Sequence, residues 1–151
     1  MDWAFDITTK NRTILKSYLE NLSLEDLNKI PRGFNNNIIW NIAHVVATQQ
    51  ILVYTLSGLE PIIDTAFINK YRKGTKPDQL VFEQEVNVIK GLLFSTIEQT
   101  EKDYKAQRFK TYTTYTVSTK STITSLDEAI EFNNFHEGIH LGYIYALRKL
   151  I

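Results

Sequence analysis

The chain contains no cysteine at any of its 151 positions. This excludes disulfides, thiolate metal ligands and a cysteine nucleophile, and it fits a reducing compartment. An excess of either charge is missing too: 17 Lys and Arg balance 17 Asp and Glu. A neutral chain has no broad attraction for nucleic-acid phosphates or anionic lipid, so nucleic acid is not expected as a partner. No segment approaches the ~20 consecutive apolar residues of a membrane helix, so no membrane partner is expected. The opening residues Met1-Asp2-Trp3-Ala4-Phe5-Asp6 carry acids where a secretory leader carries bases. A cytoplasmic location is the resulting expectation. There is no internal repeat and no low-complexity linker.

What is present suits one folded domain over residues 1–151. Hydrophobic residues make up 43% of the chain and charged residues 23%, enough to bury a core without cross-links. Ile7, Ile14, Leu15, Tyr18, Leu19 and Leu22 recur at helical spacing and predict a helix over about 7–21. Ser23 followed by Glu25 and Asp26 caps a short second helix. Apolar residues from Ile38 to Leu56 predict a long helix over about 37–57, ended by Gly58. A short helix around 64–71 lies in the connection that follows. A further long helix is expected over 78–106, with Leu80, Val86, Ile89, Leu93 and Ile97 available for burial. From Arg108 to Thr124 the chain turns to Thr, Tyr, Val and Ser with period-2 alternation, which reads as a short β-hairpin or extended excursion. Ser125 and Glu128 form a capping box for a last helix running to about Leu150. The fold class is therefore all-α: a four-helix bundle with a small β insert before the last helix.

Only three histidines occur. His136 and His140 are four apart on the last helix and share one face. His44 lies on the long helix that begins near Asn37, and it can face the pair if the two helices are neighbours. Three histidines that leave coordination positions open form a catalytic type of metal site. The competing reading is three hydrogen-bonded core histidines. Burying unpaired imidazoles among apolar neighbours is unfavourable, which speaks for a ligand. His136-Glu137-Gly138-Ile139-His140 also satisfies H-E-x-x-H, the zinc-protease pattern in which Glu137 would be the general base. That reading lacks a downstream ligand, since no His, Asp or Glu follows His140. Glu137 is a candidate catalytic proton acceptor, yet it lies ~100° around the helix from His136 and can equally face solvent. Thr48 and Asn133, one turn from His44 and His136, can reach the site. Asn41, Gln49 and Tyr143 are weaker candidates. Trp40 can wall a pocket or pack in the core. Gly138 and Gly142 can admit a close helix or lie free at the surface. Tyr112 and Tyr115 can stack on a substrate or pack between strands.

Two blocks resemble a known family. Asn37-Ile38-Ile39-Trp40-Asn41-Ile42-Ala43-His44 is similar to its tryptophan four residues before a histidine. Phe135-His136-Glu137-Gly138-Ile139-His140-Leu141-Gly142 is similar to its H-x-x-x-H-x-G segment. Together they identify the chain as resembling the DinB-like superfamily of metal-binding four-helix bundles, with its YfiT-type metal-dependent hydrolases and thiol S-transferases. The resemblance implies that His44, His136 and His140 ligate a divalent metal, most often nickel or zinc. It also implies a homodimer and, in some members, a low-molecular-weight thiol as cosubstrate. The expected function is a metal-dependent hydrolase or thiol transferase acting on a small molecule. The alternative is a non-catalytic, metal-stabilised or structural bundle.

Overall fold

The computed structural model describes residues 1–151. Six α-helices form in chain order: α1 (Asp2–Asn21), α2 (Leu24–Asn28), α3 (Ile38–Val53), α4 (Thr65–Tyr71), α5 (Glu83–Lys105) and α6 (Leu126–Arg148). Strands β1 (Tyr115–Thr116) and β2 (Thr122–Ile123) make a small antiparallel hairpin before α6. The bundle consists of α1, α3, α5 and α6. Here α1 packs on α5 and α6, and α3 packs on the same two; α2 and α4 lie against α3. No helix is long and apolar enough to cross a membrane.

Side-chain caps set several boundaries. Ser23, Asn37, Asp64 and Ser125 each accept a hydrogen bond from a first-turn backbone N–H. The Ser125 box is only half closed as expected. Glu128 reaches the Thr124 N–H and hydroxyl at 2.6 and 2.8 Å, one residue upstream of the cap. Helix α3 ends earlier than its apolar run, at Val53. A 3₁₀ turn over Thr55–Ser57 follows, and Gly58 closes it at φ 74°.

Two long helices differ from the periodicity in their starts. Helix α1 begins at Asp2 because Ala4 and Phe5 are buried against Val53, Tyr54, Ile97 and Ile130. Helix α5 begins at Glu83 rather than near Asp78. The side-chain amide of Asn28 holds Val81 extended by donating to its carbonyl at 2.9 Å and accepting from its N–H at 2.8 Å. Leu80, expected in the core, is instead 65% exposed.

Helix α3 is central: 14 of its 16 residues are buried. A helix apolar on all sides can be satisfied only by neighbours on all sides. The few polar side chains on it, His44 among them, are thereby placed in the interior.

Candidate metal centre

The three histidines meet where α3 crosses α6. Ring centroids are 5.2 Å apart for His44 and His136, 4.7 Å for His44 and His140, and 4.5 Å for His136 and His140. One ring nitrogen from each lies within 4.8 Å of the others. The i, i+4 spacing brings the α6 pair together, and the α3–α6 contact supplies the third ring.

Hydrogen bonds fix how two of the rings present themselves. His44 Nδ1 lies 2.6 Å from the Tyr71 carbonyl oxygen. A carbonyl only accepts, so His44 Nδ1 carries the proton and Nε2 holds the lone pair. His140 Nδ1 lies 2.8 Å from Asn41 Oδ1. The Asn41 amide nitrogen donates to the Asn37 carbonyl at 2.7 Å, which turns its oxygen to the imidazole. His140 therefore also donates from Nδ1. In both rings the outward nitrogen is tied to an oxygen, the usual arrangement behind a ligating histidine. The buried Nδ1 of His136 has no protein partner. The Thr48 hydroxyl donates to His44 Nε2 at 3.3 Å.

The rings are held in their neutral form. Burial pushes His136 down to about 2, with further lowering from His140, His44 and Arg12. Burial and His44 push His140 down to about 3. Burial also lowers His44, partly opposed by its bond to Tyr71. Neutral imidazole is the metal-binding form, so three such rings, each with a nitrogen within 4.8 Å of the others, fit a divalent transition ion.

Several other residues take places that the sequence left open. Trp40 stacks on His44 at 4.6 Å and 11°, and it is buried. It supports the ring from the core. Thr48 reaches the site, whereas Asn133 turns to Glu137 at 2.9 Å. Asn41, ranked low among the candidates, is the partner of His140. Gln49 bonds Thr100, and Tyr143 packs on Phe34. A Cβ added at Gly138 or Gly142 would meet nothing within 4 Å, so neither glycine admits a close helix.

Glu137 does not face solvent. It is fully buried, and its Oε1 accepts from Arg12 Nε at 2.9 Å and Arg12 Nη2 at 2.8 Å. The carboxylate thus faces α1 and is engaged by a guanidinium. Sequence reasoning missed Arg12 entirely, and it missed the Tyr71 carbonyl, which is a backbone atom without a residue-type signal.

A cleft of about 530 Å³ opens over the histidines. Its walls come from α3 (Thr48, Ile51, Leu52), α6 (Phe132, Ile139) and the hairpin (Tyr115, Val117, Thr119). The hairpin is anchored there: Tyr112 donates to the Leu52 carbonyl at 3.1 Å, and Val117 and Ile123 pack on Leu52 and Ala129. Tyr115 lines the cleft, while Tyr112 serves the anchor.

A profile of the DinB superfamily matches residues 7–144. The chain belongs to the DinB superfamily. No curated protein matches it significantly.

Replacing Asn41 with leucine removes the acceptor that orients His140. Metal affinity is expected to fall 10–100-fold with the bundle intact. Competition against a chromophoric chelator measures it, and unchanged affinity would show that the Asn41 bond does not orient the ligand.

Proposed function

We propose that the protein is a metal-dependent enzyme of the hydrolase or thiol-transferase kind, with His44, His136 and His140 holding one divalent ion, nickel or zinc. The observation that carries this reading is the convergence of three neutral imidazoles, two of them oriented by hydrogen bonds, on the floor of an accessible cleft. Three protein ligands leave positions for water or substrate, the arrangement of catalytic rather than structural sites. When bound, such an ion polarises a substrate oxygen and brings water or a thiol to its reactive deprotonated form near neutral pH.

The chain's own residues would do the rest. Asn41 and the Tyr71 carbonyl hold two imidazoles in the productive tautomer. The Tyr71 hydroxyl donates to Glu85 at 2.6 Å, and Lys70 pairs with the same carboxylate at 2.7 Å. These bonds pin α4 to α5 and thereby fix the Tyr71 carbonyl. Thr48 stands at the floor as a hydroxyl able to hydrogen-bond a bound water or substrate. Ile51, Leu52 and Phe132 exclude water from one side. Glu137 is not the proposed base, because it is buried against Arg12 and does not line the cleft.

A second reading has one observation in its favour. The triad bridges α3 and α6, so an ion would also clamp two core helices and stabilise the bundle without catalysis.

Elemental analysis of the untagged protein after zinc or nickel loading tests the site. About one equivalent is expected for the wild type and nearly none for His44→Ala. Negligible metal in the wild type, or equal metal in the variant, would overturn the proposal.

A further inference from the structure

We infer that the cleft over the histidines takes a small amphiphilic anion, its carboxylate or phosphate head drawn by Arg72 and Lys73 and its apolar body lying against Ile51, Leu56, Val117 and Phe132. Both cations line the cleft together with the three histidines, and no acidic side chain does. Neither takes part in an ion pair within the chain. The charge at this rim is therefore uncompensated, although the chain as a whole is neutral. Like charges facing one cleft focus its field and favour an anionic ligand.

Their placement follows from the same segment that orients the metal centre. Tyr71 accepts from His44 through its carbonyl, and Arg72 and Lys73 are the next two residues. The turn is held firmly: the Arg72 N–H donates to the Ile68 carbonyl at 2.8 Å, and Thr75 donates to the Arg72 carbonyl at 2.8 Å. A ligand head seated between rim and floor thus lies beside the histidines, with the apolar wall on its other side. A volume of about 530 Å³ suits a small metabolite rather than a polymer. The floor's contribution rests on the metal-centre reading, since three neutral ligands leave a bound ion's two positive charges uncancelled. The rim's contribution does not rest on it.

Chemical-shift titration of the full-length ¹⁵N-labelled protein, zinc-loaded and zinc-free, with hexanoate, hexyl phosphate and hexan-1-ol tests the inference. At least one of the anions is expected to shift amides near Arg72, Val117 and Phe132 and to bind about tenfold or more tightly than the alcohol. The tighter of the two identifies the head group. The Arg72→Ala/Lys73→Ala variant, altered only at exposed positions, is expected to lose about tenfold for the anions and nothing for the alcohol, with zinc content unchanged. Equal binding of anion and alcohol, an unaffected variant, or no shifts at the cleft would overturn the assignment. Loss of zinc binding in the wild type would instead defeat the metal reading, and the anion preference would still be read on the zinc-free protein.

Discussion

Arg12→Ala is expected to destabilise the protein by about 3–5 kcal/mol, lowering its melting temperature by roughly 10–15 °C. Arg12 and Glu137 are both wholly buried, on α1 and α6, with no water-exposed route for either charge. Glu137 Oε1 gathers two bonds from Arg12 and one from Asn133. Without the guanidinium, the carboxylate keeps only the amide, in an interior where an uncompensated charge is strongly unfavourable. The pair itself is not expected to be a net source of stability. Arg12 Nη1 and Glu137 Oε2 are both buried without a protein partner. The double replacement Arg12→Met/Glu137→Leu should therefore recover most of the loss, or exceed the wild type. Thermal denaturation of the two singles and the double closes the cycle. A single-variant cost below about 1 kcal/mol would show that the interior around the pair is wetter than its burial implies. Zinc content should stay near one equivalent throughout, because the pair faces α1 and not the cleft. A general-base role for Glu137 predicts something different: activity lost in Glu137→Gln with stability little changed.

This ion pair marks the boundary of what a single sequence discloses. The cap at Asn37 emerged only with the fold, but those at Ser23 and Ser125 are local chemistry, and they were legible. So was the α6 histidine pair, because helical periodicity alone places two side chains four apart on one face. The position of His44 opposite that pair needed α3 and α6 to be neighbours, and the apolar character of α3 on all sides made it the central helix. The start of α5 was not legible: Asn28, 53 residues upstream of Val81, overrides helical periodicity through two side-chain bonds. Glu137 misled for a related reason. Its angular offset from His136 turns it away from the cleft, but what occupies that direction is α1, and Arg12 sits in a polar stretch, Lys10-Asn11-Arg12-Thr13, that looks solvated. The partners of the histidines divide in the same way. Thr48, one turn along α3, could be named in advance. The Tyr71 carbonyl could not, since every residue has one.

The zinc-free protein is expected to lose stability steeply as the pH falls from 6.5 to 4.5. His136 and His140 are held down to about 2 and about 3 in the folded state by burial first and by neighbouring imidazoles second. In the unfolded chain both return to 6.5, so below that value the unfolded state binds protons that the folded state refuses. Stability then rises with pH, and it is lost as pH falls from 6.5 toward the folded values. At ~1.4 kcal/mol per unit, two units remove about 2–3 kcal/mol for each of the two rings. Their sum, roughly 5 kcal/mol, is comparable with the whole stability of many domains. His44 is lowered as well and adds in the same direction. Asp103 does not confuse this interval. Burial raises its pKa, but bonds from Tyr54, Arg108 and Gln99 prevail and lower it, so its stabilisation is lost only at more acid pH. The variant His136→Asn/His140→Asn should show a much flatter melting temperature between pH 6.5 and 4.5. If wild type and variant have the same slope, the imidazoles are not excluded from protonation in the folded state. Zinc at 100 times its dissociation constant should raise the curve by about 2.7 kcal/mol near neutrality. That increment should vanish at acid pH, where protons compete for the same lone pairs. A pH-dependent zinc increment, absent from the variant, would tie the burial that neutralises these rings to their capacity to hold a metal.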